Sequence, residues 1–260
     1  MHPPPTSERP PWPSYLDRFH AERPGITERI LTRCRADGLD PYAWCAAPLD
    51  NVPGPVLDLA CGSGPMHHRL PHWIGIDTAE AELEAARAVG REPLVRGSAL
   101  ALPVRAASFD AVVCSMAMQI IAPVDRALAE IASALRISGR AVLLLPAAWP
   151  LAPRDLVIYL RLQAALRQRI HYPNDRALRR SVLRATAEHI GLAVRSDESR
   201  RFALPLRTVD DADELLSSLY LPGVAPDRFA PARRVLSAAV GHDMGVPLRR
   251  ITLERTGAAA

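Results

Sequence analysis

Pro55-Val56-Leu57-Asp58-Leu59-Ala60-Cys61-Gly62-Ser63-Gly64 is the stretch whose reading decides the fold. Val56, Leu57 and Leu59 form a short apolar run between helix-breaking residues, the pattern of a buried strand. Gly62 and Gly64 supply a tight turn where backbone can approach a ligand closely. Residues 65–69 can then open a helix whose free N–H groups face the turn. A strand, glycine loop and helix in this order bind nucleotides in doubly wound α/β folds.

The loop's chemistry narrows the ligand. A dinucleotide fingerprint needs a third glycine where this chain has His67. Asp58 repels a pyrophosphate and attracts a cation, which also argues against a nicotinamide-dependent reductase. A second apolar strand, 73–77, ends in Asp77, 19 residues past Asp58. An acid at about that spacing can accept hydrogen bonds from both ribose hydroxyls. It can also cap a helix over 78–89, and the two roles are compatible.

These residues resemble motif I of class I S-adenosylmethionine-dependent methyltransferases, Asp/Glu-x-Gly-x-Gly-x-Gly, with Ala60 in the first glycine slot and alanine still small. A cationic sulfonium and ammonium suit an acidic loop end. Gly97-Ser98-Ala99-Leu100-Ala101-Leu102-Pro103 is similar to the family's Gly-Asp-Ala-x-x-Leu-Pro stretch. Ser98 stands where the family's Asp binds the adenine amino group. Residues 108–116 match the family's fourth strand, and 136–140 resemble its helix-ending turn. The resemblance runs from 55 to 146, and its nearest group is the methyltransferase type 11 family.

The resemblance implies an α/β fold with a doubly wound, mostly parallel, seven-stranded Rossmann-like sheet. It implies S-adenosyl-L-methionine as cofactor, contacted by Asp58, Ala60, Cys61, Gly62, Gly64, Asp77, Thr78, Ser98, Ala99, Leu100, Ser115 and Met116. Cys114, within its strand, reads as core.

The remaining chain divides around that unit. Residues 1–13 are Pro-rich and expected to pack loosely. Helices are expected over 14–36, with Ser14 and Thr27 as caps, and near 41–44. Residues 1–46 then make a tail and either a lid over the cleft or a plain packing extension. Residues 47–260 make the catalytic domain. Further helices are expected over 124–135, 155–170, 174–190, 210–221 and 229–240. A buried strand is expected over 141–145, one within 192–206 and a closing one over 247–256, with a frayed tail. Two helical insertions, near 153–172 and 207–245, fall where the family builds substrate specificity.

The catalytic group is less legible. Methyl transfer from a sulfonium needs an in-line nucleophile, and a base helps if that nucleophile is a hydroxyl or protonated amine. His20 and Tyr15 in the lid, and His171 and Tyr172 after the first insertion, are candidates. Each also has a plain surface or packing reading. His67, His68 and His72 lack a carboxylate partner and zinc spacing, so no metal site is expected. Carboxylates for catechol-type metal binding are missing beside Cys114 and Ser115, which favours a metal-independent reaction.

Composition sets the remaining bounds. At 260 residues and 48% hydrophobic, the chain can bury a full α/β core. Its net charge of +4 comes from arginine alone, without a dense basic and aromatic block, so nucleic acid is not an expected partner. Four cysteines without C-x-x-C spacing read as reduced thiols in a cytoplasmic protein. The longest apolar run is broken by Pro146 and Pro150, so no membrane partner is expected. The expected activity is metal-independent methylation of a small molecule, at oxygen first, then nitrogen or carbon. The alternatives are an RNA or protein methyltransferase and a non-catalytic scaffold of the same fold. Oligomeric state is not legible.

Overall fold

A computed structural model describes residues 12–257. The expected loose packing of the first eleven residues and the fraying at 258–260 lie outside the described residues. Strand β1 (Val56–Leu59) is buried along its whole length. It pairs in parallel with β2 (Trp73–Asp77) and β4 (Phe109–Ser115). β3 (Leu94–Arg96) extends one edge beside β2, and β5 (Leu135–Pro146) lies parallel to β4. β7 (His242–Arg255) runs antiparallel between β5 and β6 (Leu192–Leu206). The order is β3-β2-β1-β4-β5-β7-β6, the expected seven-stranded, mostly parallel sheet.

Side chains alternate across the sheet, so each strand feeds two cores. Val56, Ala111, Val113, Val142 and Leu144 face one core, with Ile30 of α2 (Ile26–Leu31), Tyr42 of α3 (Pro41–Ala46) and Leu83 of α4 (Glu80–Ala88). Ile158 of α6 (Pro153–Leu166), Leu215 of α8 (Val209–Ser218) and Leu236 of α9 (Phe229–Ser237) join them. Leu57, Leu59, Val112, Cys114, Ala141 and Leu143 face the other core. That core takes Leu128 and Ile131 of α5 (Val124–Ala134) and Leu183 of α7 (Arg180–His189). Helix α1 (Trp12–Glu22) packs Phe19 in a small cluster with Ile26 and Tyr220. Strand order reverses between β1 and β4, and the cleft opens outside their carboxyl ends.

The structure corrects several expected elements. No α-helix follows the glycine loop; a single 3-10 turn, His67–Arg69, stands there. Only eight residues separate Gly64 from β2, and Pro71 holds Leu70 extended at φ −124. The helix expected from 174 begins only at Arg180. Asn174 spends its side-chain amide on the Met118 and Ile121 carbonyls, and Asp175 accepts from its neighbour Tyr172 N–H. Such local bonds compete with helix formation. Trp12 and Pro13 already belong to α1, so Ser14 is inside the helix rather than its cap. Gly25, not Thr27, caps α2. Residues 136–140 lie within β5 instead of forming a separate turn. β7 starts at His242, earlier than the apolar pattern suggests.

Candidate active site

The loop after β1 turns because three residues adopt left-handed backbone: Ala60 at φ 55, Gly62 at φ 54 and Gly64 at φ 77. The turn is tied to β2 through Asp77, whose Oδ2 accepts from Gly62 N–H at 2.7 Å. Its Oδ1 accepts from Ala79 N–H at 2.8 Å, just before α4. Burial pushes the Asp77 carboxyl above its ordinary value; these two backbone donors pull it partly back.

Asp58 lies one strand over and is almost fully buried. Its Oδ2 accepts from Trp73 Nε1–H at 2.9 Å, while Oδ1 is buried with no partner among the described residues. Burial pushes this carboxyl up to about 7, the Trp73 hydrogen bond opposes the rise, and Asp77 adds to it. An unpaired buried acceptor at a cavity wall is costly unless a donor arrives.

A cavity of about 400 Å3 opens at this point. Asp58, Ala60, Cys61, Gly62, Asp77, Thr78, Ser98, Ala99, Leu100, Ser115 and Met116 all line it. Gly64 does not; its N–H bonds the Cys61 carbonyl and shapes the turn behind. Ser98 Oγ accepts from Leu100 N–H at 3.1 Å. Burial raises the Cys61 and Cys114 thiols, so neither is poised as a thiolate.

The N-terminal helices form the cavity's outer wall through Trp12, Leu16, His20 and Glu28. Glu28 clamps α2 to the loop: Arg91 donates to both its oxygens at 2.7 Å, and Ser63 Oγ donates at 2.7 Å. Burial raises the Glu28 carboxyl, but Arg91 and Ser63 outweigh it and hold it below the usual range.

Glu82 of α4 is buried beneath α1. It accepts from Gly25 N–H at 2.9 Å and from His20 Nδ1–H at 2.9 Å. With Nδ1 committed as donor, His20 Nε2 accepts from the Tyr220 hydroxyl at 3.1 Å. Burial drives the Tyr220 hydroxyl well up, so it stays protonated.

A second cavity, about 700 Å3, lies between β5, α6 and α8. It shares Thr27, Met116 and Tyr220 with the first, so the two chambers adjoin there. Met116 sits at this junction in left-handed backbone, φ 57, a strained state for its side chain. The wall is largely apolar, with Leu151, Leu156, Leu160, Ile170 and Leu219.

The four candidate bases therefore separate. His20 borders the smaller chamber, and His171 and Tyr172 border the larger. Burial lifts the Tyr172 hydroxyl to about 12. Tyr15 borders neither; its oxygen accepts from Leu221 N–H at 2.7 Å. Glu82 and Tyr220 have no sequence signature as site residues, because only the packing of α1 against α4 and against the segment after α8 brings them to His20. Among the described residues no group of three His, Cys, Asp or Glu could hold a metal ion, and no helix is long and apolar enough to cross a membrane.

Residues 57–143 match the family model described as a methyltransferase domain. No curated protein matches the chain significantly. Among solved structures, the YcgJ protein from Bacillus subtilis is similar at 18% identity and TM-score 0.58, covering 84% of this chain and 99% of its own. A putative sarcosine dimethylglycine methyltransferase from Galdieria sulphuraria has 15% identity and TM-score 0.57, covering 92% and 98%. A possible histamine N-methyltransferase from Thermotoga maritima has 15% identity and TM-score 0.55, covering 94% and 99%. At these identities the structures establish a shared fold.

Proposed function

We propose that this chain, which carries a class I methyltransferase domain with S-adenosylmethionine as methyl donor, methylates a small-molecule acceptor. Bound in the smaller chamber, the donor supplies a methyl on a sulfonium that leaves readily. The orphan Asp58 Oδ1 suits its ammonium. Asp77, its oxygens aligned by Gly62 and Ala79, has lone pairs left for the ribose hydroxyls. Ser98, Ala99 and Leu100 flank the base, Ala60, Cys61, Gly62 and Thr78 cradle the middle, and Ser115 and Met116 form the floor.

The observation that carries the acceptor assignment is the adjoining 700 Å3 chamber. Its volume is within the ~300–1,000 Å3 of small-molecule sites. Residues 1–46 then act as tail and lid, and 47–260 as the catalytic domain. The insertions near 153–172 and 207–245 supply much of the acceptor wall. An acceptor hydroxyl at the junction hands its proton to the Tyr220 oxygen while Tyr220 passes its own to His20 Nε2. Glu82 holds the ring and stabilises the imidazolium that forms. The reaction needs alignment more than covalent chemistry from the chain. Four buried free thiols accord with a reducing, cytoplasmic setting.

The test is methyl transfer from labelled S-adenosylmethionine to a small-molecule library, with RNA and protein as parallel acceptors. Label should enter the small-molecule fraction. His20→Ala should lower kcat by about 100-fold, a larger effect than it has on donor affinity. Label in RNA or protein alone would overturn the reading.

A further inference from the structure

Helix α6 leaves an apolar strip uncovered. Ile158, Leu162 and Leu166 face inward, whereas Leu156, Val157 and Leu160 are 40%, 45% and 57% exposed. Trp149, four residues before the helix, is 61% exposed. The spacing 156, 157, 160 places the aliphatic residues on one helical arc. Leu156 and Leu160 also line the larger chamber, so the strip is the chamber's rim.

The charge on the strip's own segment, 147–171, is basic, and the one exposed acid on the chamber's lining is Asp175, whose Oδ2 accepts from Tyr172 N–H. Arg154, Arg161, Arg167 and Arg169 are exposed, and none pairs with a carboxylate among the described residues. The one acid between 147 and 171, Asp155, is buried and bonded to Arg201 at 2.6 Å. An exposed aliphatic strip with tryptophan and unpaired arginines is the pattern of a helix lying in a membrane interface. Anionic headgroups attract the arginines, while the aliphatic residues enter the acyl boundary.

We propose that this face docks on an anionic membrane surface and opens the larger chamber toward the bilayer. The docking surface stands on exposure and charge alone. That a lipophilic acceptor enters through it rests on the acceptor reading above. The sequence carries no sign of this surface, because a spanning segment needs a continuous apolar run, whereas this face comes from successive turns of one short helix.

The test is co-sedimentation of the full chain with phosphatidylcholine vesicles, with and without phosphatidylglycerol. Binding should require phosphatidylglycerol and weaken at high salt. Val157→Glu with Trp149→Ser, and separately Arg154→Glu with Arg161→Glu, should each cut vesicle affinity about tenfold or more. None of these residues lines either chamber, so calorimetric binding of S-adenosylhomocysteine should be unchanged in both variants. Absence of sedimentation with anionic vesicles, or binding indifferent to the substitutions, would overturn the proposal. So would a dimer in ultracentrifugation that Val157→Glu converts to monomer, because the strip would then be covered by a second copy. Loss of S-adenosylhomocysteine binding in the unsubstituted chain would instead sink the donor reading and leave vesicle binding as it is.

Discussion

Ala60 takes a backbone conformation that side chains disfavour, φ 55, at the slot where related loops carry glycine. Its small size therefore matters less than its conformation. The left-handed state costs a non-glycine residue about 1–2 kcal/mol, partly offset by the greater entropy glycine loses on folding. Ala60→Gly should raise stability by about 0.5–1 kcal/mol, read as a higher midpoint in urea. A lower midpoint would show the slot is unstrained. Asp58 carries a pH signature of its own. Its carboxyl rises from 3.8 to about 7 on folding, so the folded state binds the extra proton. Its destabilising effect is absent below about pH 4, grows between pH 4 and 7, and reaches about 4 kcal/mol above that. Asp58→Asn should thus raise the melting temperature more at pH 8 than at pH 5. At this scale the sequence is readable where chemistry is local, as in the loop from Asp58 to Gly64. Glu82 is not readable, because a buried glutamate on a helix has the same sequence pattern as a solvated one, and Tyr220 is not, because it reaches His20 across 200 residues of chain.

Asp155 ties the first turn of α6 to the sheet, beside the Tyr159 hydroxyl, which donates to the Gly245 carbonyl at 3.1 Å. Asp155 accepts from Ala152 N–H at 2.9 Å, from Gly245 N–H at 2.8 Å and from Arg201 through both oxygens. Any Cβ on Gly245 would collide with that carboxylate. Asp155→Ala should destabilise the fold by about 3–5 kcal/mol, because Arg201 and two backbone donors lose their acceptor. A loss below about 1 kcal/mol in denaturant melts would show that the apolar face and the Tyr159 hydroxyl anchor α6 without Asp155. The elements that sequence reading locates best, β1, β2, β4 and α5, have apolar periods fixed by the two cores. It misplaces those whose ends are set by long-range contacts. Asn174 gives its amide to carbonyls beyond β4 and stops α7 from starting there. Pro71 and a short connection prevent the helix after the glycine loop.

Across the whole molecule, the parallel half of the sheet holds the smaller chamber, and α1, α2 and the segment after α8 enclose it. Trp12 and His20 from the first helix and Tyr220 from beyond α8 meet over one cavity. The residues that sequence reading singles out as cofactor contacts between 58 and 116, Gly64 excepted, line this chamber, since they fall in consecutive motifs of one sheet half. It leaves the roof and the larger chamber open, since those arise only when α1, α6 and α8 pack. The central claim is that a cationic donor seats against Asp58 at the end of β1. Calorimetric titration of the full chain with S-adenosylhomocysteine, at about pH 6 and about pH 8 in buffers of different ionisation enthalpy, tests it most directly. With a carboxyl near 7 that ionises as the ammonium arrives, binding should release close to one proton at the lower pH and almost none at the higher. Affinity should be up to about tenfold greater at the higher pH, and Asp58→Asn should abolish both differences. No binding heat at either pH, or binding without proton release at about pH 6, would contradict the account.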